Sequence, residues 1–222
     1  MSNAVLVMGK TGSGKSTSME SLDPKETFII NVVGKDLPFR GGKKRFTAEK
    51  KNYHATHTPA TIVALMKQID TDVPHIKTII IDDFQYTMSY EFMTTQTTGF
   101  DKFNEIAEHA FSIINTAKNL REDLTVVFLA HTDEVVDSLG QKSYKIKTIG
   151  KLLDDKITIE GLFTVVLMSE QRVEGVDTVY GFKTKGTVRD TVKTPKDMFK
   201  DEYIPNDLKL VIDSIAEYNN AE

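Results

Sequence analysis

The sequence predicts an α/β protein: a mostly parallel sheet of five core strands flanked by helices, with an added β-hairpin near the C-terminus. Three observations carry this. Short apolar runs recur, as in 4–8, 78–81 and 124–130, and such runs mark strands buried on both faces between helical layers. Between them lie stretches with apolar residues at helical spacing, and helices are how parallel strands are connected. The first run also leads directly into a glycine-rich octet, Gly9-Lys10-Thr11-Gly12-Ser13-Gly14-Lys15-Ser16, at the carboxyl end of a strand where α/β folds keep their chemistry. The 222 residues are expected to form one domain, with a core over about 1–170 and a hairpin and C-terminal helix over about 171–222.

Taken in order, the first strand is Ala4 to Met8, and a short helix is expected from about Lys15, closed by Asp23-Pro24. Thr27 to Val33 is the second strand. The segment from Lys35 to Lys51 has no clear period and contains Pro38, Gly41 and Gly42, so it reads as a long basic loop. Thr58-Pro59 announces a helix, with Thr as N-cap and Pro at the first helical position, and Ile62, Leu65, Met66 and Ile69 form its inward face. Thr78 to Asp83 is the third strand. The stretch from Phe84 to Phe100, with its Thr/Gln tract and Gly99, is expected to be a partly mobile connection. A long helix over about Asp101–Asn119 buries Ile106, Ala110, Ile113, Ile114 and Ala117, and Leu124 to Ala130 is the fourth strand. Glu134 to Thr148 alternates as a hairpin turning at 138–141. A helix is expected around Ile149–Glu160, then a fifth strand over Leu162–Ser169, a returning arm over Val176–Lys185 and a C-terminal helix from about Asn206.

The octet fits G-x-x-x-x-G-K-[ST], the Walker A phosphate loop. Its glycines let the backbone form a nest of N–H groups facing phosphate oxygens, where a side chain would obstruct the approach. Lys15 brings a compact positive charge to the β- and γ-phosphates, and Ser16 a hydroxyl for Mg²⁺. Gly9 to Thr17 is therefore expected to contact a nucleoside triphosphate. The third strand ends in Asp82 and Asp83, the Walker B pattern. Asp82 is expected to hold Mg²⁺ through its water shell. Asp83 is either the group that orients the attacking water or a cap for the next turn. His131, ending the fourth strand, is either a γ-phosphate sensor or an ordinary strand-end histidine. Lys10 is expected to be solvated.

Composition excludes little beyond membranes and thiol chemistry. No apolar run reaches the roughly 18 residues that span a bilayer, and the early first strand leaves no leader peptide expected. Cysteine is absent, which suits a reducing cytoplasm. The net charge of −4 hides two basic segments. Lys35 to Lys51 carries seven basic residues against Asp36 and Glu49, and Val135 to Lys151 carries four lysines against Asp137.

Taken together, Gly9–Ser16, Ile79-Ile-Ile-Asp-Asp83, Phe128-Leu-Ala-His-Thr132, Lys147-Thr-Ile-Gly-Lys151, Glu160-Gly-Leu-Phe-Thr164, Lys193-Thr-Pro195 and Ile204-Pro-Asn-Asp-Leu208 resemble the phage-encoded RecA-like P-loop ATPases, some linked to single-strand annealing and recombination. The resemblance runs over nearly the whole chain. It implies a RecA-like sheet of order 5-1-4-3-2, ATP hydrolysis with Mg²⁺, assembly into a ring or filament, and single-stranded DNA as ligand. It also implies work beside a single-strand-binding protein or other replication partner, in the cytoplasm of an infected host cell. The resemblance makes the loops after the third and fourth strands the DNA candidates. The second has Lys142, Lys145 and Lys147 for phosphates and Tyr144 for base stacking. The first has Tyr86, Tyr90, Phe92 and Phe100 but little positive charge, with a place in the core as the alternative.

Two features depart from that pattern. RecA-type ATPases commonly carry a catalytic glutamate after the second strand, where this chain has Asn31-Val32-Val33-Gly34-Lys35, so Asp83 carries more of the expected catalysis. Lys183 and Lys185 resemble the Lys-x-Lys pair of RecA that completes a neighbour's site. Two apart on a strand, they are expected to share one face, with Lys193 and Arg189 as competitors and edge-strand protection as the alternative. A nucleotide-gated loader or scaffold is a further reading. So is a nucleotide kinase, against which stand only five arginines, none paired in a lid-like loop.

Overall fold

The computed structural model describes residues 1–136, 138–150 and 157–221. Its elements are β1 (Asn3–Gly9), β2 (Thr27–Asn31), α1 (Gly42–Arg45), β3 (Tyr53–Ala55), α2 (Pro59–Asp72), β4 (Thr78–Asp82), α3 (Gln85–Thr94), α4 (Gly99–Lys118), β5 (Thr125–Val136), β6 (Lys142–Ile146), β7 (Val165–Glu174), β8 (Asp177–Lys183), β9 (Tyr203–Pro205) and α5 (Leu208–Asn220). The main sheet runs β3-β2-β4-β5-β1-β7-β8-β9, with β6 paired to β5 off this path and its Tyr144 also bridged to Asp190. The strands from β3 to β7 are parallel, and β8 and β9 are added antiparallel. The five expected strands stand in the expected order, β7-β1-β5-β4-β2.

Burial explains the apolar runs. In β1, Leu6 and Met8 join a core shared with α2, α3 and α4, while Val5 and Val7 join a second core under α5. Alternate residues of β4 and β5 divide the same way, Ile79 and Ile81 against Ile80, Val126 and Phe128 against Val127. A period-two backbone with both faces covered needs apolar residues at every position. The helical faces follow the same logic, with Ile62, Met66 and Ile69 of α2 and Ile106, Ala110, Ile113, Ile114 and Ala117 of α4 buried.

Several expectations change. The helix expected after the phosphate loop is a single 3₁₀ turn at Thr17–Met19. The Ser18 hydroxyl donates to the Lys15 carbonyl at 2.5 Å, competing for the acceptor that a continuing α-helix would offer to Met19. Phe84–Phe100, expected to be a connection, holds α3 and the start of α4, with Met88 of α3 buried in the core. The basic loop contains α1, and β3 follows it along the edge of β2. β8 ends at Lys183, so Lys185 lies beyond the strand and the two lysines do not share a strand face. The helix expected around Ile149–Glu160 falls largely on 151–156, outside the described residues. Residues 159–162 form a 3₁₀ turn.

Candidate functional site

The parallel strands bring their carboxyl ends together around the glycine-rich loop. Gly9 pairs with His131 in register, and Asn31 with Asp82. A cavity of about 420 Å³ is lined by Thr11 to Thr17, Lys35, Asp36, Pro38, Asp83, His131, Tyr180 and Asn206. Gly9 and Lys10 face a second cavity instead, of about 330 Å³, together with Tyr144 and β7. Gly12 and Gly14 take φ values of +78° and +97°, which L-residues with a Cβ avoid. A Cβ on Gly14 would also lie 2.7 Å from the Asn206 side-chain nitrogen.

The loop's outward carbonyls are held one by one. Gln171 Nε2 donates to Gly12 O at 2.7 Å, Ser169 Oγ to Ser13 O at 2.7 Å and Asn206 Nδ2 to Gly14 O at 3.0 Å. These donors come from β7 and from the turn before α5, and sequence reading missed all three. Each fixes a peptide plane with its carbonyl on the donor, which is how a nest of N–H groups is pre-organised. Only a 3₁₀ turn follows the loop, too short to add a helix N-terminal dipole, so any anion there would be held by the backbone nest and Lys15.

Lys15 is buried, and its ammonium donates to Gly9 O at 2.8 Å and Lys10 O at 2.9 Å. Burial pulls its pKa down to about 8, against the charges of Asp83 and Asp82. Ser16 Oγ donates to Asp82 Oδ1 at 2.8 Å, while Asp82 Oδ2 is buried with no hydrogen-bond partner. Burial, with Asp83 beside it, pushes the Asp82 carboxyl up to about 6. An orphaned buried carboxylate oxygen next to a hydroxyl is a hard-oxygen donor set, and it fits Mg²⁺.

Asp83 sits just past β4 at φ +62°, a left-handed turn that Asp tolerates better than most residues. Its side chain does not cap α3. Oδ1 lies 3.3 Å from His131 Nε2 and Oδ2 lies 2.5 Å from Lys35 Nζ, the latter a charge contact off the angle of a hydrogen bond. Burial would raise its pKa, but the His131 and Lys35 contacts outweigh that and lower it. The other ring nitrogen of His131 is 3.2 Å from Thr11 Oγ1, so the imidazole bridges the phosphate loop and Asp83. The backbone N–H of His131 donates to buried Gln85 Oε1 at 3.0 Å. Lys35 also escaped sequence reading. The signal was its place, four residues past Asn31 on a strand that pairs with β4. Asn31 itself holds that turn, donating to Lys35 O and accepting from Gly34 N, both at 2.7 Å.

The other expected residues are engaged elsewhere. Lys183 is buried and ion-paired with Asp190 at 2.7 Å, and Lys185 donates to Lys200 O at 2.7 Å. Burial opposes the Lys183 charge, but Asp190 more than compensates and its pKa rises. That of Asp190 falls through the same contact despite burial. The pair therefore stabilises the fold above the acid range. Its contribution is lost as pH falls through the lowered Asp190 pKa, or rises through the raised Lys183 pKa. Lys183→Met should strand a buried carboxylate and cost about 3–5 kcal/mol at neutral pH. Thermal unfolding against pH checks this, with the wild-type advantage expected to vanish toward strong acid.

In the hairpin, Lys142 pairs with Glu134 at 2.8 Å, and Tyr144 OH donates to Glu134 at 3.1 Å. The Tyr144 ring lies 4.9 Å beneath Lys10 Nζ, so Lys10 is not merely solvated. Lys145 faces Asp133 in register, and Lys147 is exposed and donates its backbone N–H to His131 O. Among the described residues no arginine clamp forms: Arg45 donates to backbone carbonyls, Arg121 donates to backbone carbonyls and pairs with Asp123, and Arg172 stacks on Tyr203.

A protein-family model described as an AAA domain matches residues 1–201. No curated protein matches the chain. Among solved structures, a KaiC-like protein from the hyperthermophilic archaeon Pyrococcus horikoshii is similar at a TM-score of 0.48 and 11% identity, over 81% of this chain and 76% of that one. So loose a likeness says nothing about function. Among the described residues no helix is long and apolar enough to cross a membrane.

Proposed function

We propose that this chain, which belongs to the AAA-domain family, binds ATP with Mg²⁺ at Gly9–Thr17 and hydrolyses it. The observation that carries the reading is the Ser16–Asp82 contact of 2.8 Å beside an unpartnered Asp82 oxygen, at the mouth of a loop whose carbonyls are tied outward. The loop N–H groups and Lys15 bind the phosphates. Ser16 and Asp82 would hold Mg²⁺, which when bound neutralises charge on the β- and γ-oxygens. Asp83, kept ionised, orients the attacking water and accepts its proton. His131, touching both Thr11 and Asp83, reports the state of the γ-phosphate to β5 and the hairpin it continues into.

The finer reading is that hydrolysis serves single-stranded DNA transactions of a phage recombination or replication type, in a self-assembled ring or filament. It rests on the sequence resemblance and on the basic hairpin over 142–147. One observation favours a second reading. Asp83 is held by Lys35 at 2.5 Å, so hydrolysis would be slow unless that contact opens, as suits a nucleotide-gated loader. ATP turnover with and without single-stranded DNA separates them. Stimulation is expected for the first reading, and DNA-independent turnover with nucleotide-dependent assembly for the second.

A further inference from the structure

The basic segment 35–51 is only partly used by the nucleotide site. Lys35, Asp36 and Pro38 line the nucleotide cavity, but the segment then crosses the molecule. Its far end reaches the amino ends of β2, β3 and β4. There it meets Pro24-Lys25 and His75-Ile76 around a concavity of about 490 Å³. Lys25, Arg45, Lys50, Lys51 and His75 line it, and among the described residues no carboxylate does. The nearest acids turn elsewhere. Asp23 accepts the Lys25 backbone N–H, and Glu26 lines the neighbouring concavity with Lys77.

The floor is built rather than loose. Buried Asn52 donates to Pro24 O at 2.8 Å and to Arg45 O at 3.0 Å, and accepts from Thr47 N at 2.9 Å, tying the segments together. Arg45 is anchored through Glu20 O and Leu22 O, both at 2.6 Å. Lys51 takes φ +56°, a left-handed conformation uncommon for Lys. Lys25, Lys50, Lys51 and His75 are exposed, and none has an ion-pair partner among the described residues. Lys25, Arg45, Lys50 and Lys51 thus place four permanent cations around one concavity, the Lys50 ammonium also donating to the Lys44 carbonyl, and such a lining favours an anion.

The lining also limits which anion. Asn52 has spent its side chain, and Pro24 and Ile76 are apolar, so among the lining residues only His75 keeps a polar group that could touch a base or sugar. Among the described residues the His75 imidazole is the lone aromatic ring in the lining, too little for the run of stacked bases that a base-reading groove needs. Exposed Lys44 of α1 extends the positive surface along the same segment, whereas Lys43 is paired with Asp36 at 2.7 Å. A mainly cationic surface longer than one phosphate suits a sequence-independent phosphodiester chain.

We propose that this concavity is a phosphate-backbone site for nucleic acid, at the end of the sheet opposite the nucleotide loop. It shares with the function above only the expectation that nucleic acid is a partner, and it is a separate surface from the hairpin over 142–147. The test compares wild type with the variants Lys25→Ala/Lys50→Ala/Lys51→Ala and Lys142→Ala/Lys145→Ala/Lys147→Ala. Binding of labelled oligothymidine is followed by anisotropy across a salt series, and ATP turnover is measured in the same samples. Arg45 is left alone because it holds backbone carbonyls.

Each lost phosphate contact lowers the salt slope by about 0.7 on single strands. The first variant should therefore lose about 2 from the slope and about tenfold in affinity, with basal ATP turnover unchanged. An unchanged slope in that variant overturns the proposal, whatever the hairpin variant does. So does tripolyphosphate that binds wild type, fails to bind the first variant and is not displaced by oligothymidine, since the occupant is then a small phosphate. Wild type that hydrolyses ATP yet binds no oligothymidine sinks this site and leaves the ATPase reading standing.

Discussion

Lys15→Met is expected to abolish ATP binding and hydrolysis while making the nucleotide-free protein more stable. The functional loss should be at least about 100-fold, the scale seen when one pre-organised donor to a developing charge is removed. The stability gain follows from burial. The Lys15 ammonium is held at a pKa of about 8 against 10.5 in water, a penalty of up to roughly 3 kcal/mol at neutral pH. The sign is that of a base with a depressed pKa. The penalty is complete below pH 8 and is relieved between about 8 and 10.5, as the folded protein releases the proton first. Met matches the stem length without the charge. Unfolding temperatures at pH 7 and pH 10, beside equilibrium binding of an ATP analogue, check both halves. The variant's advantage should shrink at the higher pH.

Asp83→Asn should leave ATP binding intact and lower turnover by about 10²–10⁴, the usual contribution of a positioned acid or base. The shape is preserved, but Lys35 and His131 meet different carboxylate oxygens, so in the variant one of them faces the amide oxygen and the other its NH2. What disappears is the proton acceptor and the charge that holds the Lys35 ammonium. A complementary change, Lys35→Met, should raise turnover if Lys35 only restrains Asp83, and lower it if the ammonium is also needed at the phosphates. Separate measurement of kcat and KM distinguishes the cases, since loss confined to kcat marks an interaction used in the transition state.

The residues explain what was legible beforehand. The phosphate loop and the Walker B strand announce themselves because their chemistry lies in contiguous sequence. The five strands follow from apolar runs that both-face burial enforces, as in Val5 to Met8. The donors on the loop carbonyls, Ser169, Gln171 and Asn206, were illegible because they lie more than 150 positions away and meet the loop only through the β1–β7 pairing and the approach to α5. Helix α3 was hidden by its composition. The polar Thr/Gln tract that suggested a loop begins only at its last residue, Thr94, and just three of its ten residues, Gln85, Thr87 and Met88, are buried. The reading of Lys183 and Lys185 extended a two-residue period past the end of β8, and burial beside Asp190 makes Lys183 a structural group here. Asp83 is visible in the sequence as a carboxylate at a strand end, but its partners, Lys35 from the turn after β2 and His131 from β5, are brought to it only by the sheet order.

The most direct measurement is release of inorganic phosphate from ATP by the wild-type chain, with Mg²⁺ and with the metal chelated. The account predicts release with Mg²⁺, none with chelator, and loss of release in Asp83→Asn at unchanged ATP affinity. Tight Mg²⁺-dependent binding of ATP with no release, or release indifferent to Asp83, would contradict the assignment of these strand ends as a hydrolysis site.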